Sequence, residues 1–275
     1  MKLANKVCVI AGGSGAIGSA IARRFYTEGA HLALTFFTVR PQKLCEELSG
    51  GPGRAICYRL DVSDWKHVQT VIRQIRTDFA GIDVLVNCSG IQGPIGPLET
   101  LDMAEWAKTI ETNLLGSVYL ARAVLPIMKE RGRGKIILFS GGGAAYGRPY
   151  FTSYSSSKTA VVRFAESLGQ ELDAANIQVN AIAPGPVRSR MWDEMRAAGK
   201  AGGPKLLEEL KRMEETGGAS PDRAAGLVVF LASDGSNRLT GRVLSAVWDD
   251  WEHFANRMDE IAASEALTLR RVPLK

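Results

Sequence analysis

The chain is poor in the residues that hold metal ions. It has three histidines, His31, His67 and His253, and four cysteines, Cys8, Cys45, Cys57 and Cys88, in 275 residues. No HExxH or CxxC spacing occurs, so neither a zinc site nor a redox pair is signalled, and no metal is expected. Cys8 and Cys88 stand in apolar, strand-like contexts and read as small core residues. No apolar run reaches the length of a membrane span or a signal peptide, and "MKLANKVCVIAGG" leads straight into a strand. A cytoplasmic location with no membrane partner is the resulting expectation. Charge is not segregated either: 34 Lys and Arg are interspersed with 29 Asp and Glu, leaving +5 without a long basic run. That distribution argues against a nucleic-acid partner, while a modest positive field suits an anionic small molecule. Repeats and low-complexity tracts are also missing.

What is present is ordinary globular composition, 45% hydrophobic and 23% charged, in a length that suits one large α/β domain spanning 1–275. Short apolar runs alternate with helical stretches. Strands are predicted at Val7 to Ala11, His31 to Phe36, Ala55 to Leu60, and within "IDVLVNCSG", "GKIILFSGG", "QVNAIAPGPV" and "GRVLSAV". Between them fall helices at Ala16 to Glu28, Trp65 to Phe79, about 102–131 with Pro126 inside, 153–177, and from Pro221 onward. This alternation predicts a doubly wound, mainly parallel sheet with helices on both faces. Residues 188–218 interrupt it with a flexible "AAGKAGG" and a charged helix, either a cover for a ligand or a solvated helix.

The turn after the first strand, "AGGSGAIGSA", carries Gly12, Gly13, Gly15 and Gly18. Gly13-Ser14-Gly15-Ala16-Ile17-Gly18 fits GxGxxG, and its place between a strand and a helix suits close approach of backbone to a dinucleotide pyrophosphate. Further along, Tyr154 and Lys158 stand four residues apart at the start of a helix, hence on one face. A phenol is a poor base at neutral pH unless a positive charge favours its ionised form, and Lys158 can supply that charge.

With these motifs the chain resembles the short-chain dehydrogenase/reductase family, in its shorter single-domain branch. The likeness spans residues 4 to about 247 and rests on the glycine turn, "LDV" at 60–62, "NCSG" at 87–90, Asn113, "YSSSK" at 154–158 and "PGPVRS" at 184–189. It implies a Rossmann-like fold and a nicotinamide-dependent oxidoreductase acting on a small-molecule carbonyl or alcohol. Tyr154 would be the general acid/base, Lys158 would lower its pKa and bond the nicotinamide ribose, and Asn113 would hold a relay water. Gly12, Ser14, Gly15, Ala16, Ile17 and Gly18 would cradle the diphosphate. Asp61 and Val62 would meet the adenine, Asn87 and Gly90 would line the crevice, and Pro184, Gly185, Val187 and Ser189 would flank the nicotinamide. A homotetramer or dimer, built on the helices carrying Asn113 and Tyr154, is implied as well.

Departures from the family pattern are informative. Ala16 stands where the shorter branch has glycine. The usual serine position, thirteen residues before the tyrosine, holds Gly141, so the polarising role passes to Ser140 or to a backbone N–H of the glycine run. The second strand ends in Thr35-Phe36-Phe37-Thr38-Val39-Arg40 with no carboxylate, and Arg40 can meet a 2′-phosphate, so NADP is favoured over NAD. The displaced serine leaves a second reading, a dinucleotide-binding sensor or assembly subunit without catalysis, and a third, an enoyl-type double-bond reductase. The extension 248–275, with Trp248, Asp249, Asp250 and Trp251, faces a pocket or a subunit neighbour, or is plain packing, and "LTLRRVPLK" is a docking or a solvated tail.

Overall fold

The computed structural model describes residues 1–51, 53–272 and 274. Seven strands, β1 (Val7–Ala11), β2 (His31–Phe36), β3 (Ala55–Arg59), β4 (Val84–Asn87), β5 (Gly134–Phe139), β6 (Ile177–Ala183) and β7 (Val243–Ser245), form one sheet. All pairings are parallel and the order is β3-β2-β1-β4-β5-β6-β7. β1 shows why the pattern is continuous rather than alternating: every residue of VCVIA is buried, because helices cover both faces. Cys8 and Ile10 pack with α1 (Ala16–Thr27) and α9 (Pro221–Ala232), whereas Val9 and Ala11 face α3 (Trp65–Phe79), α5 (Gly116–Glu130) and α6 (Thr152–Glu171). Chain order reverses between β1 and β4, where Ala11 pairs with Asn87, and this opens a crevice at the carboxyl ends of the strands.

The helices depart from the sequence reading in instructive ways. The stretch 102–131 is one continuous helix as expected, but α4 (Met103–Ile110) passes into α5 through a wide π-turn at Glu111–Leu115, and Pro126 lies inside α5 without ending it. The π-turn carries Asn113, whose side chain bonds across to the loop after β4, and such turns recur at functional sites. α6 stops at Glu171, ahead of a 3₁₀ turn at Asp173–Ala175. "AAGKAGG" is not a flexible run. It completes α7 (Arg190–Ala198), turns through Gly199–Gly202 and enters α8 (Gly203–Thr216). Trp192, Leu206, Leu210 and Met213 of this pair pack on Phe151, which precedes α6.

A short helix absent from the sequence reading, α2 (Gln42–Glu47), follows β2. It brings together a cysteine pair that the sequence, lacking any CxxC, does not signal: Cys45 is disulfide-bonded to Cys57 of β3. The crossing of α2 over the sheet edge makes this pairing, and no local spacing encodes it. In the C-terminal segment Trp251, Phe254 and Ile261 join the core, while most of the other described residues are exposed. Trp251 stacks against Phe230 at 6.5 Å and donates from Nε1 to the Ala246 carbonyl at 3.2 Å, while Trp248 is 75% exposed. After α10 (Met258–Ala262) the chain lies along β7: Val243 N donates to the Leu267 carbonyl at 2.8 Å. Arg242 also bonds the carbonyls of Ile261, Ser264 and Ala266. Arg270 pairs with Glu166 at 2.7 Å, so the tail is tied down as far as Arg270, and its Pro273 and Lys275 lie outside the described residues. No described helix is long and apolar enough to cross a membrane.

Candidate active site

The glycine turn is built for close approach. At Gly12, with φ of +77°, a Cβ would stand 2.9 Å from Ser89 N in the turn after β4, and a Cβ at Gly18 would stand 2.2 Å from the Gly12 carbonyl oxygen. Side chains here would push α1 away from β1 and close the crevice. Gly15 caps α1 without any side-chain hydrogen bond, and the first turn holds no acidic residue. The leading N–H groups of a twelve-residue helix therefore face the crevice beside exposed Ser14, Gly15 and Ala16 and half-buried Ile17, which fits an anionic diphosphate.

β4 and its loop connect this turn to the helix pair. Asn87 is buried; its Nδ2 donates to Ser117 Oγ at 3.0 Å and its Oδ1 accepts from Ser89 N at 3.0 Å, so it shapes the loop. Asn113 is committed in the same way. Its Nδ2 donates to the Ile91 carbonyl and to Ser157 Oγ, both at 3.0 Å, and its Oδ1 accepts from Ile91 N at 2.9 Å. One acceptor position on Oδ1 is all that this side chain has left for a water. Gly90 lies between: a Cβ there would meet Asn113 Oδ1 at 3.0 Å, Lys158 Nζ at 3.4 Å and the Met191 methyl at 3.5 Å.

Tyr154 and Lys158 project from α6 onto this floor, and both are buried. Lys158 Nζ donates to the Phe139 carbonyl at 2.9 Å and stands 5.7 Å from the Tyr154 ring centroid. Burial lowers the Lys158 pKa to about 8 and raises that of Tyr154 to about 12. The cation that favours the phenolate in this arrangement is Arg148, which no sequence pattern marked. Its guanidinium lies 3.9 Å above the Phe151 ring and pairs with Glu209 of α8.

Beside the tyrosine runs the glycine stretch that follows β5. A Cβ on Gly141 would sit 2.5 Å from the Tyr154 hydroxyl oxygen, so the phenol abuts the backbone at the place of the family serine. Ser140 is buried, and its hydroxyl makes no hydrogen bond to a described residue. The N–H groups of Gly141, Gly142 and Gly143 likewise bond to no described acceptor.

The remaining predicted residues occupy the two ends of the crevice. Beyond β6 come half-buried Pro184, Gly185 with φ of +84°, buried Val187, and Ser189 at the start of α7. Arg188 and Arg190 line a pocket of about 340 Å³ with Trp192, and Arg190 pairs with Glu194 at 3.2 Å. At the far end Arg40 is exposed with no side-chain partner among the described residues, while Arg59 Nε holds the Phe37 carbonyl at 3.3 Å. Half-buried Asp61, beside buried Val62, accepts from Ser63 N at 2.9 Å and from Ser63 Oγ at 2.6 Å through Oδ1, and its Oδ2 bonds to no described residue. Sequence reasoning also missed Gln92, buried after β4, whose Nε2 has no partner among the described residues.

Residues 6–200 match the family model for short chain dehydrogenases. The chain is 32% identical over 247 residues to the 3-oxoacyl-(acyl-carrier-protein) reductase FabG of Thermotoga maritima, covering 89% of this chain and 97% of that protein. It is similar in structure to an NAD+-bound xylitol dehydrogenase, with TM-score 0.80 and 26% identity over 89% of this chain and 98% of that one. It is similar also to the actinorhodin polyketide ketoreductase with NADPH, with TM-score 0.78 and 27% identity over 87% and 95%. The parallel seven-stranded sheet, the glycine turn and these matches place the chain in the short-chain dehydrogenase family of nicotinamide-dependent oxidoreductases.

Proposed function

We propose that this oxidoreductase reduces the carbonyl of a small molecule to an alcohol with Tyr154 as general acid, and that NADPH is its preferred partner. The observation that carries the reading is contiguity. Gly12 abuts Ser89, Gly90 reaches Lys158, and Tyr154 abuts Gly141, so the diphosphate turn and the acid share one crevice.

The nicotinamide supplies the hydride, and the chain supplies geometry and a proton. With its pKa held at about 12, Tyr154 is a protonated phenol at neutral pH, the state required of an acid. The unbonded N–H groups of Gly141 to Gly143, with Ser140, polarise the substrate oxygen in place of the family serine. Lys158 reaches the nicotinamide ribose from Gly90, and Asn113 fixes the loop that carries Gly90. α7 and α8 cover the site, latched by the Arg148 pair with Glu209. The preference for NADPH is supported by unpartnered Arg40 and by the lack of a carboxylate at the end of β2.

The test is Tyr154→Phe assayed over a panel of small ketones and aldehydes. Reduction is abolished while the NADPH dissociation constant stays within about twofold. Retained turnover overturns the assignment. The missing serine favours one other reading, a nucleotide-binding protein without catalysis, and NADPH binding by the native protein with no turnover across the panel would establish it.

A further inference from the structure

Four cysteines divide into two kinds. Cys8 lies within β1 and half-buried Cys88 directly after β4, and desolvation pushes both thiols well up, which removes them from thiolate chemistry. Cys45 and Cys57 lie at the sheet edge, half-buried, and are bonded to one another. The bond joins two elements that meet the far end of the cofactor crevice. Cys45 belongs to α2, five residues after Arg40. Cys57 lies on β3 opposite Leu34 of β2, two positions before the register that pairs Phe36 with Arg59.

We propose that Cys45 and Cys57 form a thiol–disulfide modification site, open to low-molecular-weight thiols and disulfides, that sets how tightly the adenosine end of the nicotinamide dinucleotide is held. The coupling rests on the proposed cofactor site. α2 has only six residues, too short to hold itself as a helix, and its noncovalent hold on the core comes from Leu44 and from Leu48 at its C-cap. Leu44 is its one buried residue, and the Arg23 pair with Glu47 is half exposed at both ends and contributes little. Beyond α2, Tyr26 Oη receives Gly51 N at 2.6 Å and fastens the following loop, not the segment 36–41. The disulfide is thus the covalent tie that keeps α2, and Arg40 before it, registered on β3. When it is cut, ordering that segment falls on the binding step and affinity drops.

The chemistry balances with oxidised glutathione as oxidant. One cysteine thiolate attacks a glutathione sulfur, forming a mixed disulfide and releasing one glutathione. The second cysteine attacks the protein sulfur of that mixed disulfide and releases the other. Two electrons pass to glutathione disulfide, and the two cysteine protons end on the released thiols.

The experiment uses the full chain in oxidised or reduced glutathione buffers, with the thiol state read by alkylation and mass spectrometry and NADP+ and NADPH affinity by calorimetry. The oxidised protein forms the Cys45–Cys57 bond and keeps Cys8 and Cys88 as thiols. Reduction raises both dissociation constants by about fivefold or more. Cys45→Ser and, separately, Cys57→Ser bind as the reduced protein does, in either buffer. Failure of the bond to form in oxidised glutathione, or equal affinity in the two states, overturns the proposal alone. Absence of nucleotide binding in both states overturns the cofactor reading with it.

Discussion

Replacing Gly141 by alanine puts a methyl group where only 2.5 Å separates it from the Tyr154 hydroxyl oxygen, and 3.0 Å from ring atoms Cε1 and Cζ. Ordinary contact begins near 3.4 Å, so the hydroxyl has to retreat by roughly 0.9 Å. The ring cannot yield as a flexible side chain does, because it is buried and borne by a regular helix. A displacement of about 1 Å at a reacting group costs about a hundredfold in rate, or about 2.7 kcal/mol of activation free energy. The assay is kcat/KM for NADPH-dependent reduction of the best carbonyl in the panel. The NADPH dissociation constant serves as control, since Gly141 lies away from the diphosphate turn. Overpacking also costs about 1–3 kcal/mol of stability, so Tm is followed alongside. Gly141→Ser introduces the same Cβ and is expected to lose activity as well, although it restores the family residue. A rise in kcat/KM for the serine variant refutes the crowding argument and marks Gly141 as a lost catalytic hydroxyl.

Two further outcomes follow from the ends of the crevice. Arg40→Glu weakens NADPH binding by about tenfold or more, the worth of a charge-assisted hydrogen bond, and leaves NADH unchanged. An equal loss for both nucleotides removes the 2′-phosphate assignment. For Lys158, burial lowers the pKa, so the ammonium is present below about 8 and lost above it. In the free enzyme kcat/KM for NADPH therefore falls as pH rises through about 8, and Lys158→Arg, which stays charged, moves that limb upward. A limb that does not move with the substitution assigns the titration to another group.

The legibility of this chain in its sequence followed the range of the interactions. Tyr154 and Lys158 were readable because a helix places residues four apart on one face, and the glycine turn because its neighbours along the chain are themselves its structural context. The strands were readable because burial on both faces leaves an apolar run, as in VCVIA. The π-turn at Glu111–Leu115 was not, since one widened turn leaves the apolar periodicity on either side intact. α2 has six residues and one buried side chain, too little to set up a pattern, and the cysteine pair it makes with β3 depends on a crossing that no spacing records. Arg148 escaped for a similar reason: it sits in a loop and gains its role only when α8 brings Glu209 over it.

The tail along β7 has a consequence for how the molecule behaves in company. A parallel sheet that ends in a bare strand offers its outer row of amides and carbonyls to any other chain that drifts past. Here Leu267 takes the Val243 amide, and Arg242 gathers three carbonyls of the same returning segment. Residues 261–267 thereby cover part of that edge. A tag or shortened end placed before Leu267 would reopen that part and leave a sheet that can be extended by its neighbours.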